Sequence, residues 1–580
     1  MMRFTRALNF GSALEAESSA VAGRFDLQGL EALLDGRSRI EFSFDGGEVN
    51  PYLVVQFFGV IDDGTGGSGI RLAELVAALS LTTDLGLGQP LEHVLRSSLI
   101  ATRLAEAAGL DEEERAVVFY VSLLAFVGCS ADSHETAAMF GDDIAIRAAI
   151  RDVDRVGVGF VARRIGRGSP PVRRALMVGS FVATGGRAMA EAMRGHCEVT
   201  GELALQLGLG PEVRDPLEQM FERWDGRGRP AGLRGDELAP AIRIVHIAGV
   251  VETFHHRDGV EGAIEVADAR RGTQFDPALI DRFCRDAPMF LDGLGEVGTW
   301  DAVIDSQPGL RAVLSEQELD LALEAFADYA DLKSPYTVGH SRGVAGLVAD
   351  AARGSGLPEA EVTEVRRAAL VHDIGALGVP SSIWDKPSPL SPAEWERVRL
   401  HPYLVERTLA RPKQLASFAA VAALHHERLD GSGYPRGLAG PGLSPPARLL
   451  ASADVCHAMS EPRPYRPALT RPEAERALRA EVLAGRLDGD AVNAVLAAAG
   501  HRVRRRAEQP AGLTRRELEV LGLLARGHTN RKMAERLGIS AKTVGNHIEH
   551  IYTKLGTSTR AGACLFASRY GFVDDADVDG

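Results

Sequence analysis

MFERWDGRGRPAGLRGDELAPAIRIVHIAGV, running from Met220 to Val250, can be written above HHERLDGSGYPRGLAGPGLSPPARLLASADV, from His425 to Val455, without a gap. Asp225 falls on Asp430, Gly226 on Gly431, Gly228 on Gly433, Pro230 on Pro435 and Arg243 on Arg448, all at one offset of 205 residues. His196 and His401 keep that offset upstream. Farther upstream, LEHVLRSSLIATRLA and VGHSRGVAGLVADAA align at 247, which pairs His93 with His340. The two offsets differ by 42 residues, an insertion in the first copy around Asp132 to Gly195. One domain therefore occurs twice. Both copies carry apolar stripes at i, i+3, i+4 and i+7 with no sustained alternation, so the reading is mainly α, with tandem all-α domains.

Working outward, 580 residues exceed the roughly 250 to 300 that one core supports. Hydrophobic residues at 45% and charged ones at 25% exclude a disordered or collagenous chain. The expected division is an N-terminal segment 1–68, a first repeat 69–300, a second repeat 315–500, a basic linker 501–511 and a small C-terminal domain 512–575. Within the first segment, RIEFSFDGGEVNPYLVVQFFGV (39–60) reads as a short hairpin about Gly46 and Gly47. The longest apolar run, Val117 to Ala131, has 15 residues, short of the ~20 a membrane helix needs, so no membrane contact is expected. The opening residues carry no apolar stretch of signal-peptide length, so export is not expected, and the five cysteines are dispersed without a CxxC pair, which fits a reducing cytoplasm.

The net charge of -14 is unevenly spread. From Arg502 to Val573 fourteen Lys or Arg face five Glu, an excess of nine positive charges on an otherwise acidic chain. A basic tail on an acidic body points to a polyanionic partner for the tail alone.

In the second repeat the polar residues that fall on apolar stripes are ligand types. His340 shares a helical face with Val344, Leu347 and Val348; His372 shares one with Val362, Val365 and Ala369, with Asp373 beside it. His425 shares one with Phe418 and Val421, with His426 next, and Asp454 lies within RLLASADVCHAM. A single inward histidine is usually a hydrogen-bonded core residue, but this set needs a common partner. The first repeat is an internal control: His372, Asp373, His425, His426 and Asp454 correspond there to Ala125, Phe126, Met220, Phe221 and Gly249. Packing thus does not require the polar set. Imidazole with carboxylate suits iron, manganese, zinc or nickel rather than calcium or magnesium, and a carboxylate able to bridge points to two ions.

From Leu319 to Ala498 the sequence resembles the HD-GYP phosphohydrolases, through HDIGALG, the His-Pro of RLHPYLVER, HHERLDGSGYP, ASADVCHAM and RPYR. The resemblance implies metal ligands at His340, His372, Asp373, His401, His425, His426 and Asp454, with Asp373 bridging, and a catalytic centre at His372 and Asp373. It implies two divalent transition-metal ions, iron or manganese, and hydrolysis of cyclic di-GMP. Tyr434 of the Gly-Tyr-Pro, Arg463 and Arg466 match positions that hold substrate, as guanidinium forks suit phosphate. Ala376 stands where the family has Lys, and Tyr336 where some members have a Glu for a third metal. The first repeat keeps His93 and His196 only, and reads either as a sensor or dimerisation module or as a degenerate copy retained for packing.

In the tail, Gly538, Ile539 and Ser540 separate two helical stretches, and Ser540 is a natural N-cap. Val544, Ile548, Ile551 and Leu555 then form an inward stripe, leaving Lys542, Thr543, Asn546 and His547 outward near the helix start. In helix-turn-helix proteins that end enters the major groove. LTRRELEVL, GHTNRKMAERLGIS and KTVGNHIEHIYTKLG resemble the LuxR-type DNA-binding domain, with Gly545 where that family commonly has Lys. The expected partner is duplex DNA bound by a homodimer, with Lys542 and Asn546 at base edges and Arg531 and Lys532 at phosphate. The function expected is a transcriptional regulator with a phosphohydrolase domain for a cyclic dinucleotide. The alternatives are a nucleotide-sensing transcription factor without turnover, or an HD phosphohydrolase for another phosphoester.

Overall fold

The computed structural model describes residues 4–8, 53–57 and 69–560, apart from 152–157, 167–169, 184–186, 296–297, 310–311, 502–511, 526 and 558, together with 563 and 567. The chain divides into two compact units, Met1–His501 and Arg502–Gly580. Both repeats lie in the first, and the regular elements among its described residues are helices apart from one strand pair and isolated bridges.

Helices recur at the two offsets. Glu112–Leu124 has its counterpart in Glu359–Val371, and Pro211–Leu217 in Ala416–Ala422. His93 and His340 each open a helix, His93–Ala107 and His340–Gly354. In the second repeat that helix packs on Glu359–Val371, and Val344, Val348, Val362, Val365 and Ala369 are fully or almost fully buried on these two helices. Asp111 starts the helix Glu112–Leu124 by accepting the Glu114 N–H at 2.9 Å, and Ser315 caps Glu316–Asp331 in the same way at 3.2 Å.

Two glycines explain identities between the repeats. A Cβ on Gly433 would lie 2.4 Å from the Arg428 nitrogen and one on Gly228 2.4 Å from the Arg223 nitrogen, so each turn closes on backbone and admits only glycine. Gly375 lies so close to the His401 helix that a Cβ would sit 2.1 Å from the His401 carbonyl oxygen. That approach brings Asp373, two residues earlier, against His401.

The insertion in the first repeat includes the helices Ser133–Phe140 and Asp143–Arg151, and it docks on the second repeat. Asp143, fully buried, accepts from Lys333 Nζ at 2.6 Å, from the Ser381 N–H at 2.8 Å and from Arg147 Nη1 at 2.9 Å. Beside it Asp385 accepts from Ser334 Oγ at 2.5 Å and pairs with His134 at 2.7 Å.

In the N-terminal segment Leu53–Phe57, one half of the expected hairpin, pairs antiparallel with Phe4–Leu8, in the register Phe4 to Phe57. A strand has two edges, and this pairing takes one of them. Residues 39–45, the other half, and the linker residues 502–511 lie outside the described residues. No single described helix is long and apolar enough to cross a membrane.

The second unit contains Arg515–Ala525, Asn530–Leu537 and Ala541–Leu555. Thr529 and Ser540 cap the last two, Ser540 accepting the Thr543 N–H at 3.0 Å, and Gly538 ends the middle helix at φ 65°. Val544, Ile548 and Ile551 face inward onto Leu521, Leu524 and Met533.

Candidate metal centre and nucleic-acid interface

All seven residues expected to hold metal come together in the second repeat. His372, His401 and His425 are each locked in the same way: the Nδ1–H donates at 2.7 Å to the carbonyl three residues earlier, of Ala369, Val398 and Ala422. That bond fixes the tautomer, leaving the Nε2 lone pair free and inward. His372 Nε2 is buried with no hydrogen-bond partner, and an orphaned lone pair of this kind is costly unless a cation meets it. Asp373 sits between the imidazoles. Its Oδ1 faces His401 Nε2 at 3.3 Å and His425 Nε2 at 3.6 Å, and its Oδ2 faces His372 Nε2 at 3.5 Å and His340 Nε2 at 4.0 Å. Asp454 closes the cage, with Oδ1 at 3.3 Å from His340 Nε2 and Oδ2 at 3.7 Å from His426 Nδ1.

The charge states suit ligation. Burial pushes the His372 pKa down to about 4 and holds His426 well below the usual imidazole value, so both are neutral. Burial alone would raise Asp373 and Asp454. The surrounding imidazoles outweigh that, His372, His401 and His425 for Asp373 and His340 first for Asp454, and hold both carboxyls below their usual range and ionised. Burial would lower His340, but the bonds to Asp454 and Glu461 carry it up to about 10, so it is protonated at neutral pH and a metal ion would take the place of its Nε2 proton. Neutral His372 and His426, two ionised carboxylates and the partnerless His372 Nε2 fit a transition-metal site. Among the described residues, His340, His372 and Asp373 form one group of potential ligands, and His401, His425 and His426 another.

Sequence reading missed Glu461. Its Oε2 accepts from His340 Nδ1 at 2.8 Å and from Arg463 Nη2 at 2.8 Å, so a carboxylate behind the ring orients His340 towards the cage. It stands in a polar stretch with no periodicity, and only its place directly before the Pro462 and Arg463 of the RPYR region hinted at a role. His457, one turn before Glu461, is also drawn in, with Nδ1 3.3 Å from Glu461 Oε1.

The substrate positions divide. The Tyr434 ring lies 4.8 Å from that of His426, and buried Glu427 holds its loop by accepting the Arg436 and Leu438 N–H groups at 2.7 and 2.9 Å. Arg463 Nη2 lies 3.4 Å from His340 Nδ1, at the edge of the cage. Arg466 donates to the carbonyls of Ala458, Met459, Glu461 and Pro467 at the end of the Pro445–Ser460 helix, and Arg463 donates to the Tyr336 carbonyl and to Glu461, so a phosphate would compete with these acceptors for either guanidinium.

The first repeat contains none of the described groups of three close ligand side chains. His196 bonds through Nε2 to the Ala125 carbonyl at 3.0 Å. His93 pairs through Nδ1 with Glu252, which also accepts from Arg96 Nε at 2.5 Å.

In the second unit Arg531, Lys532, Lys542, Thr543 and Asn546 are exposed and His547 is half-buried. Thr543 also bonds Ser540 Oγ at 2.7 Å, and Arg531 pairs loosely with Glu535 at 3.4 Å.

Comparison with known proteins covers both regions. Residues 324–491 match the HD domain family, and 511–567 match the bacterial regulatory proteins of the luxR family. The chain is 32% identical over 405 residues to the 3'3'-cGAMP-specific phosphodiesterase 3 of Vibrio cholerae serotype O1, a match covering 69% of this chain and 88% of that protein. It is 41% identical over 142 residues to a cyclic di-GMP phosphodiesterase of Pseudomonas aeruginosa, covering 24% of this chain and 34% of that one. The crystal structure of a cyclic GMP-AMP specific phosphodiesterase of V. cholerae superposes with a TM-score of 0.53 at 28% identity, over 74% of this chain and 98% of that one. The chain belongs to the HD-GYP cyclic-dinucleotide phosphodiesterase family and carries a LuxR-type DNA-binding domain at its C-terminal end.

Proposed function

We propose that the second repeat hydrolyses a 3′,3′-linked cyclic dinucleotide and that its state is coupled to DNA binding by the tail. The observation that carries this reading is Asp373, with one oxygen turned to His401 and His425 and the other to His372 and His340. In this assignment two iron or manganese ions would be held by His340, His372, Asp373, His401, His425, His426 and Asp454. Such ions supply Lewis acidity and a water ionised near neutral pH.

The remaining steps belong to the chain. Backbone carbonyls and Glu461 hold the outer ring protons of four histidines, so the inward nitrogens stay available and aligned. Tyr434 borders the cage as a wall for a base or ribose, and Arg463 offers a guanidinium where a phosphate would enter. The longest relative match is to a 3'3'-cGAMP phosphodiesterase and a shorter one to a cyclic di-GMP phosphodiesterase, so the substrate class is the cyclic dinucleotide, with 3′,3′-cGAMP the first to test. The tail binds duplex DNA as a homodimer in the cytoplasm, with domain limits as expected from the sequence.

Binding without turnover is the second reading, favoured by Ala376: this buried methyl group, three residues after Asp373, offers no donor to a phosphate. Incubating the manganese-loaded full chain with 3′,3′-cGAMP, cyclic di-GMP and a linear phosphodiester, then resolving products by chromatography, separates the readings. Linear dinucleotide from the cyclic substrates supports the enzyme; tight binding without product supports the sensor.

A further inference from the structure

Where the second repeat has its cage, the first has a cavity of about 740 Å³. Its wall includes Phe126, Met220, Phe221 and Gly249, the counterparts of Asp373, His425, His426 and Asp454. The site that gathers ligands in one copy has become an apolar chamber in the other, in the size range of small-molecule pockets. Its charge is one-sided. Five arginines line it against two aspartates, and those two are already matched, Asp132 to Arg147 at 2.5 Å and Asp225 to Arg223 at 3.1 Å.

Arg151 is the distinctive member. Its guanidinium lies over the Phe126 ring at 3.9 Å from the centroid, and its Nη1 donates to His93 Nε2 at 3.0 Å. Among the described residues it forms no salt bridge, because the nearby Glu252 is taken by His93 and Arg96. A guanidinium facing an apolar cavity with one neutral acceptor is poorly satisfied, and an anion entering that cavity would complete it. Arg151 also ends the helix whose first residue, Asp143, bonds Lys333 and Ser381 of the second repeat. An occupant would therefore bear on an element joined to the catalytic copy.

We infer that the first repeat binds an amphipathic monocarboxylate, its apolar body among Phe126, Met220, Phe221 and Val245 and its carboxylate on Arg151. Cyclic di-GMP is the competing occupant, since His196, Arg227, His246 and Gln274 also line the chamber, and the test separates the two.

The test is calorimetric titration of the metal-loaded full chain with dodecanoate, with dodecanol and cyclic di-GMP as comparators. Dodecanoate is expected to bind saturably at about one per chain and about tenfold or more tighter than dodecanol, the value of a charge-assisted hydrogen bond. Arg151→Ala is expected to remove that preference and leave dodecanol binding intact. Gly249→Leu keeps Arg151 but fills the chamber; a Cβ there sits 3.5 Å from Phe126 Cζ without a clash. It is expected to abolish binding of both probes while metal content stays at the wild-type level, which also reports that the fold is kept. Equal affinity for dodecanoate and dodecanol, or dodecanoate binding unchanged in both variants, overturns the inference. So does cyclic di-GMP binding that survives Asp373→Ala and is lost in Gly249→Leu, which would assign the chamber to a nucleotide.

Discussion

His401 and His425 present their Nε2 atoms to one another at 3.0 Å, and each ring has already committed its Nδ1 proton to a backbone carbonyl. Two acceptors at that distance repel unless a cation lies between or beside them. His401 points from the first residue of His401–Leu409 and His425 from the turn after Ala416–Ala422, and positive charge at their meeting point would satisfy both.

Metal content follows from this arrangement. About two transition-metal ions per chain are expected by elemental analysis, and Asp373→Ala should lose both, since its two oxygens serve both groups of imidazoles. Full retention of metal by that variant would move the site elsewhere.

Glu461 is expected to act through His340 without touching the ions. Glu461→Gln should weaken metal affinity by about 10- to 100-fold, the usual effect of removing a carboxylate behind a ligating histidine. A chelator-competition titration reads this, with unchanged unfolding by urea showing that the loss is local.

The buried pair between repeats makes a stability prediction. Asp143→Ala strands Lys333 and the Ser381 N–H, and should destabilise the first unit by about 3 to 5 kcal/mol. Replacing both partners, Asp143→Leu with Lys333→Met, should recover much of that loss. Urea unfolding of the two variants checks the difference.

In the tail, Glu517 ties the first helix to the last by accepting from Lys554 Nζ at 2.7 Å and from the Thr514 N–H at 2.6 Å. Burial would raise its pKa, but these bonds bring it down to about 2. A depressed carboxylate contributes stability above its unfolded pKa of about 4.3 and loses it as pH falls towards the folded value. Amide exchange in Arg515–Ala525 should accelerate over that acid range, and Glu517→Gln should flatten the dependence and cost on the order of 1 to 2 kcal/mol at neutral pH, allowing for the solvent access of Lys554.

Architecture was legible because both copies retain the same turn glycines, and helix bounds such as Glu112–Leu124 and Glu359–Val371 repeat at the offset read from two histidines. The seven-residue cage was legible because apolar stripes place ligand residues inward and the other copy shows what packing alone would put there. Glu461, Arg151 and the Asp143 to Lys333 pair were not. Each is a charged residue in a polar or ambiguous stretch whose partner lies far away in sequence, 121 residues for Glu461 and 190 for Asp143. Arg466 is a related case: composition announces a guanidinium, but only the fold shows which carbonyls hold its donors.

The most direct test is turnover itself. Full chain loaded with manganese is mixed with 3′,3′-cGAMP, and linear dinucleotide is followed over time beside Asp373→Ala and beside wild type treated with chelator. Product from the loaded wild type, absent from both controls, is the expected result. Saturable nucleotide binding by the loaded wild type with no linear product from either 3′,3′-cGAMP or cyclic di-GMP would contradict it and leave the cage a sensor.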